Sequence, residues 1–161
     1  MGARIQAAKS REFTTLGVVL GYRYEDSPVI AHDGSRAPQM DYLNYVPSNR
    51  PGARAPHAWL HDGSSLYDHF GEGFTLLAHA DVPETVVQAV RERLRAAGVP
   101  LTVLRPAWGA FAELYPTRLT LVRPDQHVAW RGDDWPDAPD ALVARITGHT
   151  AVASPRQKAF A

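Results

Sequence analysis

Cysteine is absent from the 161-residue chain, which excludes disulfides, thiolate nucleophiles, CxxC redox chemistry and Cys-ligated zinc or iron–sulfur centres. An excess of charge is absent as well, since 17 Lys and Arg stand against 17 Asp and Glu. A partner held by phosphate neutralisation requires a basic stripe, so nucleic acid is not an expected ligand. Long apolar runs are also missing. The longest, Leu16 to Leu20, is far below the roughly 18 to 20 residues that cross a bilayer, and the amino terminus lacks a basic-then-apolar signal pattern. No membrane association and a cytoplasmic location are therefore expected. What is present is 45% apolar residues, a composition that suits a soluble globular protein with one hydrophobic core and little need for staples.

Composition shifts along the chain. Ala31 to Pro56 holds four of the 13 prolines among Ser, Asn and Gly and reads as a long loop, of the kind that is usually a binding loop or a connection. From His57 the pattern turns regular. His57 to Leu60 is a short strand candidate ending at the Asp62-Gly63 turn, Ser64 to Phe70 suits one helical turn, and Phe74 to Ala80 suits a strand buried on both faces. Asp81 and Glu84 have capping-box spacing before the apolar stripe Val86, Val87, Val90, Leu94 and Ala97, and Gly98 with Pro100 marks a stop. Leu101 to Leu104 is a further strand. Arg118 to Val122 and His127 to Trp130 flank Pro124-Asp125-Gln126 as a hairpin, and Asp137 is placed to cap a last helix with Leu142, Val143 and Ile146 on one face and Gly148 at its end. The expected organisation is an N-terminal extended arm and Pro-rich loop over 1–56, a sheet flanked by helices over 57–150, and a flexible tail over 151–161.

This element order is similar to that of thioredoxin-like α/β folds with a mixed sheet. Tyr115-Pro116-Thr117 followed by RLTLVRPDQHVAWRG has the shape of the thioredoxin segment with a cis proline, so the resemblance implies a cis Tyr115–Pro116 bond. The place of the thioredoxin cysteine pair is taken by Asp81-Val82-Pro83, so thiol chemistry is not implied. More specifically, PGARAPHAWLHDGSSLYDHFGEGFTLL (Pro51 to Leu77) with LVRPDQHVAWRG (Leu121 to Gly132) resembles the C-terminal domain of FAD-dependent aromatic hydroxylases of the phenol hydroxylase and dichlorophenol monooxygenase type. The segment Leu16 to Ile30, ending in LGYRYEDSPVI, is similar to the stretch by which those enzymes leave their catalytic part. The resemblance covers roughly residues 16 to 148. It implies FAD and NADPH for the full-length enzymes, which bind FAD through a GxGxxG turn. This chain contains no GxGxxG, so no cofactor is expected in it.

Three constellations invite chemistry. His57, His61 and His69 could suggest a metal, but no carboxylate or Cys of suitable spacing completes the set, and surface or hydrogen-bonded imidazoles are the expectation. Ser64 or Ser65 beside His61, Asp62, Asp68 and His69 supplies the residue types of a hydrolytic triad without a nucleophile-elbow signature. The loop Arg50, Pro51, Gly52, Arg54 and His57 could receive a carboxylate or phosphate, or its side chains could instead satisfy loop carbonyls; the structural role is preferred. Trp59, Trp108, Trp130 and Trp135 are read as core or interface before ligand cage. Arg123 and Asp125 most simply fix the hairpin turn. No residue is assigned to catalysis, cofactor or metal.

Two functions remain. One is an accessory domain that packs on, or dimerises, an FAD-dependent aromatic-ring hydroxylase, with a homodimer or a flavoprotein monooxygenase subunit as partner. The other is a stand-alone, redox-inactive thioredoxin-fold binding protein. A homodimer through the apolar segment Leu16 to Tyr22 is expected under the first, and absence of FAD and NADPH binding under both.

Overall fold

The structure, a computed structural model, describes residues 15–106 and 111–149. Four strands form one mixed sheet in the order β2-β1-β3-β4: β1 Phe74–Ala78, β2 Leu101–Leu104, β3 Leu119–Val122 and β4 Val128–Gly132. β2 runs parallel to β1, which requires a crossover, and helix α2 (Glu84–Ala96) supplies it. β3 is antiparallel to both β1 and β4. Helix α1 is Leu16–Gly21, α3 is Phe111–Leu114 and α4 is Pro139–Ile146, with a 3-10 turn at Leu66–His69. This is the expected α/β class.

The period of two along the strands divides the core. Phe74, Leu76, Ala78, Leu119, Leu121 and Ala129 face α2 and α4, where they meet Val87, Val90, Leu94, Leu142, Val143 and Ile146. The opposite face carries Leu77, Val122 and Val128 against Ala55, Leu66, Phe111 and Tyr115. Every residue of β1 and β3 is therefore buried, which is why their sequences read as apolar runs rather than as an alternation. Burying each Leu this fully is worth about 1.5–3 kcal/mol.

Several local expectations need correction. His57 to Leu60 is not a strand; it makes a single bridge, Trp59 to Ser65, because the chain reverses at once through Leu60 N–H to the Ser64 carbonyl at 2.9 Å. Asp81 and Glu84 do not form a capping box. Pro83 is the N-cap of α2, and both carboxylates are drawn away by guanidiniums, Asp81 to Arg118 at 3.2 Å and Glu84 to Arg105 at 3.0 Å. Nor does Asp137 cap α4: Ala138 takes that position, Pro139 opens the helix, and Asp140 in its first turn pairs with Arg93 at 3.1 Å. Gly98 and Gly148 do end their helices, each with φ above +70°, the left-handed conformation a C-terminal stop demands. The N-terminal arm is not wholly extended, because Leu16–Gly21 is helical. Gly17 explains the seat of that helix: a Cβ there would collide with the Asp41 carbonyl. The Tyr115–Pro116 bond is trans, as are all peptide bonds among the described residues; the ordinary preference of about 0.5–1 kcal/mol for trans holds. Trp108 and the expected tail over 151–161 lie outside the described residues.

Candidate functional site

The end of the Pro-rich loop, residues 50–56, lies at the second face of the sheet, where Ala55 joins the apolar cluster, and its backbone is anchored at most of its residues. Gly52 N–H donates to the Val128 carbonyl at 2.8 Å and Ala55 N–H to that of Gln126 at 2.8 Å. Gly52 holds φ +90°, and a Cβ there would lie 2.6 Å from the Tyr24 carbonyl oxygen, so glycine is needed both for the conformation and for the close approach. Two phenols then satisfy the loop carbonyls. Tyr115 donates to Pro56 O at 2.5 Å, and Tyr67 donates to Ala55 O. Burial pushes the Tyr67 and Tyr115 hydroxyls up, so both are donors across the physiological range.

The candidate side chains are similarly engaged. Arg50 donates to the Ser35 carbonyl and to Glu25, both at 2.8 Å; the Arg50 hydrogen bond holds the Glu25 carboxyl below its usual range. Arg54 donates to the Gln126 side chain at 2.6 Å and lies 5.4 Å over the Tyr67 ring. His57 pairs through Nε2 with Ser65 Oγ at 2.9 Å and stands edge-on to Trp59 and Tyr67. Arg123 and Asp125 meet at 3.2 Å across the hairpin turn. Trp130 lies elsewhere, on the α2–α4 face beside Trp135 at 5.4 Å in a T-shaped contact. Seven of the eight candidates thus belong to, or adjoin, one hydrogen-bonded saddle, and Trp130, partly buried, packs against the core cluster on the other face.

The serine–histidine constellation has the wrong order for nucleophilic catalysis. Ser64 Oγ donates to Asp62 at 2.6 Å and lies 2.7 Å from His69 Nε2. Its proton is committed to the carboxylate, so His69 meets the hydroxyl as a donor; in a hydrolytic triad the imidazole stands between carboxylate and hydroxyl and takes the proton. Ser65 caps the 3-10 turn with Asp68. His57 and His69 are bonded to different serines, and no metal-competent group of His, Asp and Glu occurs among the described residues.

Sequence reasoning missed His127 and Arg131. His127 is 1% exposed and packs against Tyr22 and Tyr24 with ring centroids 4.9 and 4.5 Å away. Its Nδ1 faces the Asp125 carbonyl at 3.0 Å, which assigns the proton to Nδ1, and Nε2 is buried without a hydrogen-bond partner. Burial holds its pKa below the ordinary imidazole value. Arg131 fastens the arm to β4 by donating to Asp33 at 2.7 Å and to Asn49 and Ser35. Burial alone would raise the Asp33 carboxyl, but hydrogen bonds from Ser35 and Arg131 bring it down to about 2. Both residues stand in the segment LVRPDQHVAWRG that carries the family resemblance, but only the pairing of distant segments reveals what each of them holds.

A β-α-β-α-β-β-α module with the end of a loop clamped over one face defines an α/β domain, and comparison with known proteins makes the class specific. Residues 48–150 match the family model described as the C-terminal part of aromatic-ring hydroxylases, and the chain belongs to that family. The FAD-dependent monooxygenase opdD of Penicillium oxalicum is 32% identical over 139 residues, covering 83% of this chain and 26% of that protein. Phenol 2-monooxygenase of a Pseudomonas species is 32% identical over 166 residues, covering 88% of this chain and 27% of that enzyme. The structure of the rebeccamycin biosynthetic enzyme RebC with reduced flavin superposes with a TM-score of 0.72 at 37% identity, over 91% of this chain and 28% of that one. The chain therefore spans about a quarter of the length of the proteins it matches.

Proposed function

We propose that the chain is an accessory domain that packs on the flavin-bearing part of an FAD-dependent aromatic-ring hydroxylase and supplies neither the cofactor site nor the reacting groups. The observation that carries this reading is the position of the match: it falls on the C-terminal quarter of the relatives. The residues present do not fit FAD. A pyrophosphate cradle needs close-approach glycines between a strand and a helix N-terminus, with an acidic ribose partner. Here Gly71 and Gly73 press against Thr102 and Pro100, so their missing side chains admit the start of β2 rather than a ligand, and Gly63 sits in an open turn before the 3-10 turn. The arginines and histidine that could have received an anion are bonded internally. Aromatic hydroxylation requires an electron carrier that side chains do not replace.

The test is a titration of the purified chain with FAD and with NADPH. Flavin fluorescence is expected to stay unchanged, and NADPH is expected to persist when a phenol is added. Stoichiometric FAD retained through purification, or phenol-stimulated NADPH consumption, would overturn the proposal.

A further inference from the structure

The exposed large apolar side chains among the described residues are confined to the arm and loop: all lie between Leu16 and Trp59. Four of them, Leu16, Val18, Val19 and Tyr22, come from α1 and the residue after it, with Val19 60% exposed. Tyr42, Leu43 and Val46 come from the loop on which α1 sits. The two groups adjoin. Gly17 lies against the backbone of Asp41 and Asn44, and a Cβ at Gly21 would meet the Tyr45 ring at 3.9 Å. A six-residue helix cannot persist in water on propensity alone, yet this one turns most of its apolar side chains outward. Such a face marks an interaction surface rather than a core.

We infer that the α1 and 42–46 face is the surface by which this domain docks on the flavin-bearing part of an aromatic-ring hydroxylase; this rests on the accessory reading above. Two observations select that occupant over a second copy. The domain is the C-terminal one, so in the relatives the remaining three-quarters of the chain precedes it and enters from the side of α1. The match to RebC covers 91% of this chain, leaving about 14 of 161 residues outside; a continuous span of that length reaches α1 wherever it begins. The aligned span thus takes in α1, in a structure determined with reduced flavin. Tyr22, at the end of the face, packs on the His127 ring, so that end of the docking surface is fixed to the hairpin.

The experiment uses the intact chain and, as probe, the FAD-holding remainder of the Pseudomonas phenol 2-monooxygenase prepared without its C-terminal quarter. Binding is followed by calorimetry. The wild-type chain is expected to bind, and Val19→Glu combined with Leu43→Glu is expected to weaken binding roughly tenfold or more, with an unchanged thermal midpoint because both positions are exposed. Glu92→Ala on the outer face of α2 leaves affinity unchanged. Where the truncated enzyme does not retain FAD, the same variants are compared in a fusion that returns this chain to its place in that enzyme, and the pair is expected to speed proteolytic release of the domain. No binding by the wild-type chain and none after deletion of residues 1–14, or in the fusion equally rapid release of the wild-type domain, overturns the accessory reading itself. Equal behaviour of the double variant and wild type overturns the docking face while leaving that reading standing. A dimer of the chain alone that the two substitutions dissolve, or binding that appears only after deletion of residues 1–14, makes a second copy or the chain's own first segment the occupant and overturns the proposal.

Discussion

The arm and loop before residue 60 and the sheet module after Gly73 are held together by different means. The module is ordered by burial: its two central strands are completely enclosed, and its helices contribute apolar stripes to one cluster. The arm is ordered by polar contacts. Arg23 donates to the Pro38 carbonyl at 2.9 Å, Arg50 to Ser35 and Glu25, and Arg131 to Asp33, while large apolar side chains point outward. A region that spends its polar groups on internal order and leaves apolar surface uncovered has the character of an interaction surface, in keeping with the docking proposed above. The module is held by burial and the arm is fastened to it by polar contacts, which leaves the arm's apolar side chains for the docking proposed above.

That contrast can be broken by substitution. The largest effect is expected in the sheet: Leu76→Ala or Leu121→Ala should cost about 2–5 kcal/mol in denaturant unfolding, whereas Val19→Ala should stay within about 0.5 kcal/mol. Equal losses would erase the distinction. Next comes the junction between the two regions. Tyr115→Phe removes the donor to the buried Pro56 carbonyl and should cost about 1–3 kcal/mol, releasing the loop without disturbing the packing of the ring against Phe111.

The junction should also respond to acid. His127 has a folded pKa below its unfolded value of 6.5, so the folded state binds its proton less well than the unfolded chain does. Its contribution is complete above pH 6.5 and is lost as pH falls from there through the folded pKa. Tyr22, Tyr24, Asp125, Arg54 and Arg123 surround or act on the ring, and of these only Asp125 favours the charged form. Stability measured from pH 7 to pH 5 should therefore fall, and His127→Phe should flatten that slope; a slope unchanged in the variant would remove His127 as its source. Asp33, held at about 2 against 3.8 unfolded, adds a second loss only as pH drops below about 4. The smallest effect belongs to Arg123→Ala at the hairpin turn, about 0–1 kcal/mol for a partly exposed pair.

Much of the module is legible in the sequence, because its elements follow from period and punctuation. FTLLA reads as a strand buried on both faces, the Val86 to Leu94 stripe as a helix, and Gly98 as its end. The fine structure at helix starts is not legible, since Asp81, Glu84 and Asp140 had to choose between a nearby N–H and a guanidinium distant in sequence, and the guanidiniums won. The saddle is half legible. PGARAPH announces a constrained loop, but the phenols of Tyr67 and Tyr115 that hold its carbonyls come from the 3-10 turn and the end of α3, and α3 itself carries no periodic signal over its four residues. Helix α1 was hidden for the opposite reason: a short apolar run reads equally as strand, arm or helix until the backbone of residues 41–44 is seen against Gly17.

Backbone hydrogen exchange measured with and without the FAD-holding remainder of a relative tests the division most directly, because it reports each region separately. Protection is expected to rise in α1 and across residues 41–46 and to remain unchanged in β1, α2, β3 and α4. New protection centred on α2 and α4, with α1 exchanging as freely as in the isolated chain, would contradict the account.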